Sequence, residues 1–141
     1  MRVFLDTNVF LYAAGRSHPQ HEACARVLRK LADGSLAATS STEVVQEILY
    51  VLSRRGRRQE ALALARSVIS LIPDLLPVTR ADISGAFDLL RQHPRLSVRD
   101  AVHSSTMLRN GVQTVVSVDA DFDQIAQVRR VPPGSLNMRL N

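Results

Sequence analysis

Four carboxylates stand along the chain at positions from which they could meet: Asp6, Glu47, Asp100 and Asp119. Asp6 and Asp119 each directly follow a short apolar run, Arg2 to Leu5 and Thr114 to Val118. If those runs are neighbouring parallel strands, both side chains project at the carboxyl edge of the sheet, where open α/β folds place ligands. Glu47 lies on the margin of a helical apolar stripe, between Val44 and Val51, so it leans toward the protein. Its competitor Glu43 sits farther round toward the polar side. Asp100 opens a later helix just after Ser97. Each acid also has a purely structural use. Asp6 can cap the helix behind it, Asp119 can belong to a turn, Glu47 can pair with a surface arginine, and Ser97-x-x-Asp100 reads as a capping box.

Gathered into one cleft, these groups would demand compensation. Two carboxylates about 4 Å apart repel by roughly 4 kcal/mol at an effective dielectric near 20. Protonation, arginine or a divalent cation can answer that cost. Hard oxygen ligands select Mg²⁺ or Mn²⁺ over Zn²⁺. The lone Cys24 cannot begin a zinc pair or close a disulfide, and reads as a small packed side chain in a reducing compartment. His103, one turn beyond Asp100, is the histidine nearest the acids in sequence and reads as a packed or surface residue.

The elements that must position these acids can be read from periodicity. Thr7 to Ala14, His18 to Asp33, a segment capped by Ser41 or Thr42 that ends before Gly56, Glu60 to Leu71, Ala81 to Gln92 and Val98 to Asn110 have helical spacing. Arg2 to Leu5, Leu36 to Thr39, Leu75 to Val78, Thr114 to Val118 and Val128 to Val131 read as strands, with Pro77 confining the third to a sheet edge. A short helix follows Asp121 or Asp123. This alternation predicts an α/β fold: one three-layer α/β/α domain with a short, mainly parallel central sheet, spanning residues 1–131, and a C-terminal tail at 132–141. At 141 residues, with 45% hydrophobic and 22% charged residues, the chain can bury a conventional core. No run is long enough to span a membrane, and Asp6 and Asn8 break up the apolar N-terminus, so a cytoplasmic protein is expected. A formal net charge of +5, carried almost wholly by arginine, suits a polyanionic partner as well as a solvated surface. Arg54, Arg55, Arg57 and Arg58 around Gly56 form the densest basic patch and the candidate track for a phosphate backbone.

Taken together, the pieces resemble the PIN domain family, and more narrowly its VapC-type toxins. The resemblance rests on Asp6-Thr7-Asn8 after the first strand, Glu47 within Glu43-Val-Val-Gln-Glu-Ile-Leu, Asp100-Ala101 opening a helix, and Ser117-Val-Asp119-Ala-Asp121-Phe122 near the end. Leu-Pro-Val-Thr at 76–79 precedes the penultimate helix pair, and the match runs in order to about Val131. The likeness implies a metal-dependent ribonuclease whose Mg²⁺ or Mn²⁺ is held by Asp6, Glu47, Asp100 and Asp119, with Asp121 sometimes joining and Asn8 and Ser117 orienting the acids. Ser117 departs mildly from a family pattern in which threonine is commoner. The likeness also implies an RNA substrate, a small antitoxin partner, a homodimer, and products ending in a 3′-hydroxyl and a 5′-phosphate. Two other classes share parts of this pattern. Phospho-receivers and aspartate-nucleophile phosphatases also carry an aspartate after a first parallel strand, but the former want an acidic pair and a later lysine, and the latter an acid where Asn8 stands. A domain that binds RNA without cutting it would have no need of the full acidic set.

Overall fold

A computed structural model describes residues 2–138. Four strands form one parallel sheet: β1 (Val3–Leu5), β2 (Ala38–Thr39), β3 (Thr114–Val116) and β4 (Arg129–Val131), in the order β2-β1-β3-β4. Every pairing is parallel, with Phe4 opposite Thr39 on one side and Val115 on the other. The chain leaves β1 for β2 on one flank and later crosses to β3 on the opposite flank. Strand order therefore reverses between β1 and β3, which opens a crevice at their carboxyl ends. Six α-helices, α1 (Thr7–Ala14), α2 (His21–Ala32), α3 (Thr42–Arg54), α4 (Arg58–Leu71), α5 (Arg80–Gln92) and α6 (Val98–Arg109), complete the expected three-layer α/β/α architecture.

The central strands β1 and β3 are buried on both faces, so Val3, Phe4, Leu5, Val115 and Val116 form an uninterrupted apolar centre rather than an alternating one. Side-chain oxygens start four of the helices. Asp6, Ser41, Thr79 and Ser97 accept backbone N–H groups of the first turns of α1, α3, α5 and α6, which otherwise lack partners.

Several boundaries differ from the sequence expectation. The strand expected at Leu75 to Val78 is reduced to one bridge between Ser41 and Leu76. Leu76 bonds to Ser40 and Thr42 through its own N–H and carbonyl, but Pro77 has no N–H to extend the ladder. Helix α2 begins at His21 because His18 and Pro19 form the loop before it. Helix α5 forms where expected, yet of the residues Ile83, Ala86, Phe87 and Leu90 whose spacing predicts it, Ile83 and Phe87 are 41% and 62% exposed. Its buried line runs instead through Asp82 and Ala86. Asp82 closes a capping box with Thr79 and contacts Arg109 Nε at 2.9 Å, which ties the start of α5 to the end of α6. In the C-terminal segment a 3-10 turn, Pro133–Met138, rests on α2 with Leu136 buried. The last residues of the expected tail, 139–141, lie outside the described residues.

The α5–α6 contact depends on a glycine. A Cβ on Gly85 would lie 2.4 Å from Ser105 Oγ, inside any permitted contact. Gly85→Ala is therefore expected to destabilise the fold by about 1–3 kcal/mol through overpacking, even though alanine is the better helix former. Adding Ser105→Gly should return most of the loss in urea unfolding. Equal stability of Gly85→Ala and the parent would show that the helices part freely.

Candidate metal centre

Asp6 is held by three elements at once. It follows β1, and its own N–H donates to Val116 of β3 at 3.1 Å, which fixes the residue over the crevice. Its Oδ1 accepts the Thr7 N–H at 2.8 Å as the cap of α1. Its Oδ2 accepts from Ser117 Oγ at 2.6 Å and from Asn8 Nδ2 at 3.2 Å. Ser117 Oγ in turn accepts the Asp119 N–H at 3.0 Å, so one hydroxyl spans the two acids that end β1 and β3. Asp119 Oδ1 then accepts the Asp121 N–H at 2.9 Å, the first bond of a 3-10 turn over Ala120–Gln124.

Only half of the anticipated capping box forms at Asp100. Ser97 Oγ accepts the Asp100 N–H at 3.1 Å, while the Asp100 carboxylate turns away toward Asp119. Its Oδ2 is buried without a hydrogen-bond partner. Carboxylate oxygens of Asp100, Asp119 and Asp121 lie within 4.8 Å of one another. Glu47 is buried on α3, contacted by Arg99 Nη1 at 3.5 Å. The five acids Asp6, Glu47, Asp100, Asp119 and Asp121 all line one cavity of about 630 Å³. Within it they form two groups, Asp100 with Asp119 and Asp121, and Glu47 with Asp6, linked through a histidine.

That histidine, His103, is the residue that sequence reading undervalued. It is fully buried, with Nε2 2.7 Å from Glu47 Oε1 and 3.7 Å from Asp6 Oδ1. The shorter contact has hydrogen-bond length but not hydrogen-bond direction, and is best described as an ion-pair contact. The signal in sequence was its place one turn after Asp100, on the same face of α6. Arg99 was also missed. The basic patch divides: Arg55 and Arg57 line the acidic cavity with Arg99, whereas Arg54 and Arg58 line a separate depression with Leu49 and Tyr50.

The electrostatics follow from this crowding. Burial above all, then a hydrogen bond with Asp119 and the charges of Asp6 and Asp119, push the Asp100 carboxyl up to about 8, against the opposing pull of His103. Burial also raises Asp6, although His103, Ser117 and the Thr7 N–H resist it. For His103, burial disfavours the charged ring, but Glu47, Asp6 and Asp100 outweigh it and the pKa rises. A cleft of oxygen donors that can be relieved only by taking up protons or cations fits a hard divalent ion, and the unpartnered Asp100 Oδ2 is an available ligand atom.

Comparisons with known proteins place the chain in a family. The PIN domain family profile matches residues 3–128. Ribonuclease VapC7 of Mycobacterium tuberculosis is 32% identical over 137 residues, covering 96% of this chain and 94% of the relative. Ribonuclease VapC13 of the same organism is 29% identical over 129 residues, covering 92% and 98%. Among solved structures, Mycobacterium tuberculosis VapC20, described as a Sarcin-Ricin loop cleaving toxin, superposes with a TM-score of 0.74 at 22% identity, covering 88% of this chain and 95% of that one. DNA-bound VapBC from Salmonella typhimurium gives a TM-score of 0.70 at 17% identity, covering 94% and 99%. With the profile spanning nearly its whole length and a close relative among the ribonucleases, the chain belongs to the PIN domain family, on its VapC branch.

Proposed function

We propose that the protein is an endoribonuclease dependent on Mg²⁺ or Mn²⁺, the toxin of a toxin–antitoxin pair. The observation that carries this reading is the convergence of Asp6, Glu47, Asp100, Asp119 and Asp121 in one cavity, with Asp100 raised to about 8 by burial and the neighbouring acids. Asp100, Asp119 and Asp121 would hold the ion most directly, with Asp6 and Glu47 completing its surroundings. When bound, such an ion lowers the pKa of a coordinated water and neutralises charge gathering on the phosphate.

The chain's own residues supply the rest. Ser117 and Asn8 fix Asp6 in one orientation, and Ser117 also fixes the Asp119 backbone, so the acids are set before substrate arrives. His103 restrains Glu47 from behind. Arg55, Arg57 and Arg99 at the cavity wall attract the RNA backbone and hold its phosphates. In hydrolysis a water oxygen forms the new bond to phosphorus, the bond to the 3′-oxygen breaks, and the leaving oxygen takes a proton, giving a 3′-hydroxyl and a 5′-phosphate. Cytoplasmic location and a homodimer follow from the same family reading. Among the described residues no helix is long and apolar enough to cross a membrane. The recurrence of toxin–antitoxin complexes among the structural neighbours, such as that from Klebsiella pneumoniae, supports a small antitoxin partner.

The test is cleavage of a labelled RNA by the purified protein with Mn²⁺, with Mg²⁺ and with excess chelator. Cleavage that requires the cation and is restored after the chelator is overcome is the expected result. Full activity in chelator would end the metal-dependent reading.

A further inference from the structure

The wall of the acidic cavity carries one aromatic surface. The Tyr12 and His18 rings stack with centroids 3.7 Å apart and an interplanar angle of 6°, and both line the cavity. The chain spends few aromatics, with two tyrosines, four phenylalanines and no tryptophan. Phe4, Phe10 and Phe122 are committed to the core, so a stacked pair at a cavity wall is not packing surplus. The outer ring, His18, is exposed, whereas a stack formed only for burial would cover it.

The pair is also held in place. His18 Nδ1 accepts the Gln20 N–H at 3.0 Å, and the His18 carbonyl accepts the His21 N–H at 2.9 Å. His21 Nδ1 lies 3.0 Å from the Tyr12 carbonyl, which closes the loop from α1 to α2 beneath the rings. These contacts fix the His18 plane at the cavity wall, with Tyr12 covering one face. Arg55, Arg57 and Arg99 line the same cavity with the acids.

We propose that the Tyr12–His18 stack is a platform for one unpaired RNA base next to the cut phosphate. The inference rests on the ribonuclease reading and narrows its substrate class. A base in a continuous duplex already has both faces covered by its neighbours, so a stacking platform selects a nucleotide in a single strand, loop or bulge. Stacking tolerates any base, because every base offers a flat π face. Cut-site choice would then depend first on whether the nucleotide can leave its helix, and on base identity only through further contacts.

Binding of a fluorescent single-stranded RNA hexamer, measured by anisotropy in chelator so that nothing is cut, tests the platform. His18→Ala should bind roughly tenfold more weakly, the loss of one stacked base, and His18→Phe should recover most of the affinity. Wild-type protein should prefer the hexamer over the same oligomer made abasic by a similar roughly tenfold margin, an arm that needs no variant. Unchanged affinity in His18→Ala, or no preference over the abasic strand, overturns the platform while metal-dependent cleavage by the wild type leaves the nuclease reading standing. Failure of the wild type both to bind and to cut RNA overturns the nuclease reading and the platform with it.

Discussion

Asp6→Asn is expected to lose about a thousandfold in RNA cleavage rate, the kinetic equivalent of the several kcal/mol that a metal ion contributes to phosphate chemistry. The fold should survive. Asparagine is as good a helix N-cap as aspartate, so with its oxygen in the place of Oδ1 the bond from the Thr7 N–H persists, while its NH2 takes the place of Oδ2 and donates to the Ser117 hydroxyl, which turns from donor to acceptor. Metal-free stability at pH 8 should even rise, because burial raises the Asp6 pKa and the substitution removes a charge that the cavity disfavours. Loss of activity and gain of stability in one variant, read by cleavage assay and thermal melt, separate a site residue from a structural one. An active Asp6→Asn protein would remove this acid from the chemistry.

The second expected result concerns pH and cation together. Asp100 is raised from 3.8 to about 8, and Asp6 and His103 are raised as well. A group whose folded pKa exceeds its unfolded value holds its proton longer in the native state, so its contribution is complete below the unfolded value and disappears as pH climbs through the folded one. For Asp100 that window runs from about 4 to about 8, and for His103 it opens above 6.5. In chelator, the melting temperature should therefore fall between pH 5 and pH 8. Mn²⁺ should reverse the fall, and act more strongly at pH 8, where its carboxylate ligands need not first lose protons. At a concentration about a hundredfold above its dissociation constant the ion would add about 2.7 kcal/mol, or roughly 5–10 °C for a chain of this size. Calorimetry in matched buffers decides the matter. A metal-free protein that gains stability from pH 5 to pH 8 would show that the cleft is not a store of misplaced charge.

Much of this site is legible in the sequence because two of its acids sit where pattern alone locates them. Asp6 and Asp119 end apolar runs, and parallel strands deliver such residues to one edge whatever the intervening chain does. Glu47 was readable from its stripe, since helical spacing fixes direction around an axis. His103 resisted because its meaning lies in α3, whose Glu47 it meets only after folding. The arginines resisted for a related reason. Arg54 and Arg58 lie apart from Arg55 and Arg57 across the α3–α4 turn, and adjacency in sequence conceals that division. Ile83 and Phe87 misled because α5 approaches α6 through Gly85, a contact that leaves large side chains outside. Leu75 to Val78 failed as a strand at its proline, the residue that already limited it to an edge.

The central pairing of β1 with β3 joins residues 111 positions apart in sequence, Phe4 to Val115 and Leu5 to Val116. A nascent chain that stops before Asp100 carries only Asp6 and Glu47, and it lacks the strand that anchors Asp6. Such non-local pairing closes late, after the helices between have formed. Synthesis must therefore pass Val116 before the proposed cutting centre can assemble, which delays any hazard to nearby RNA.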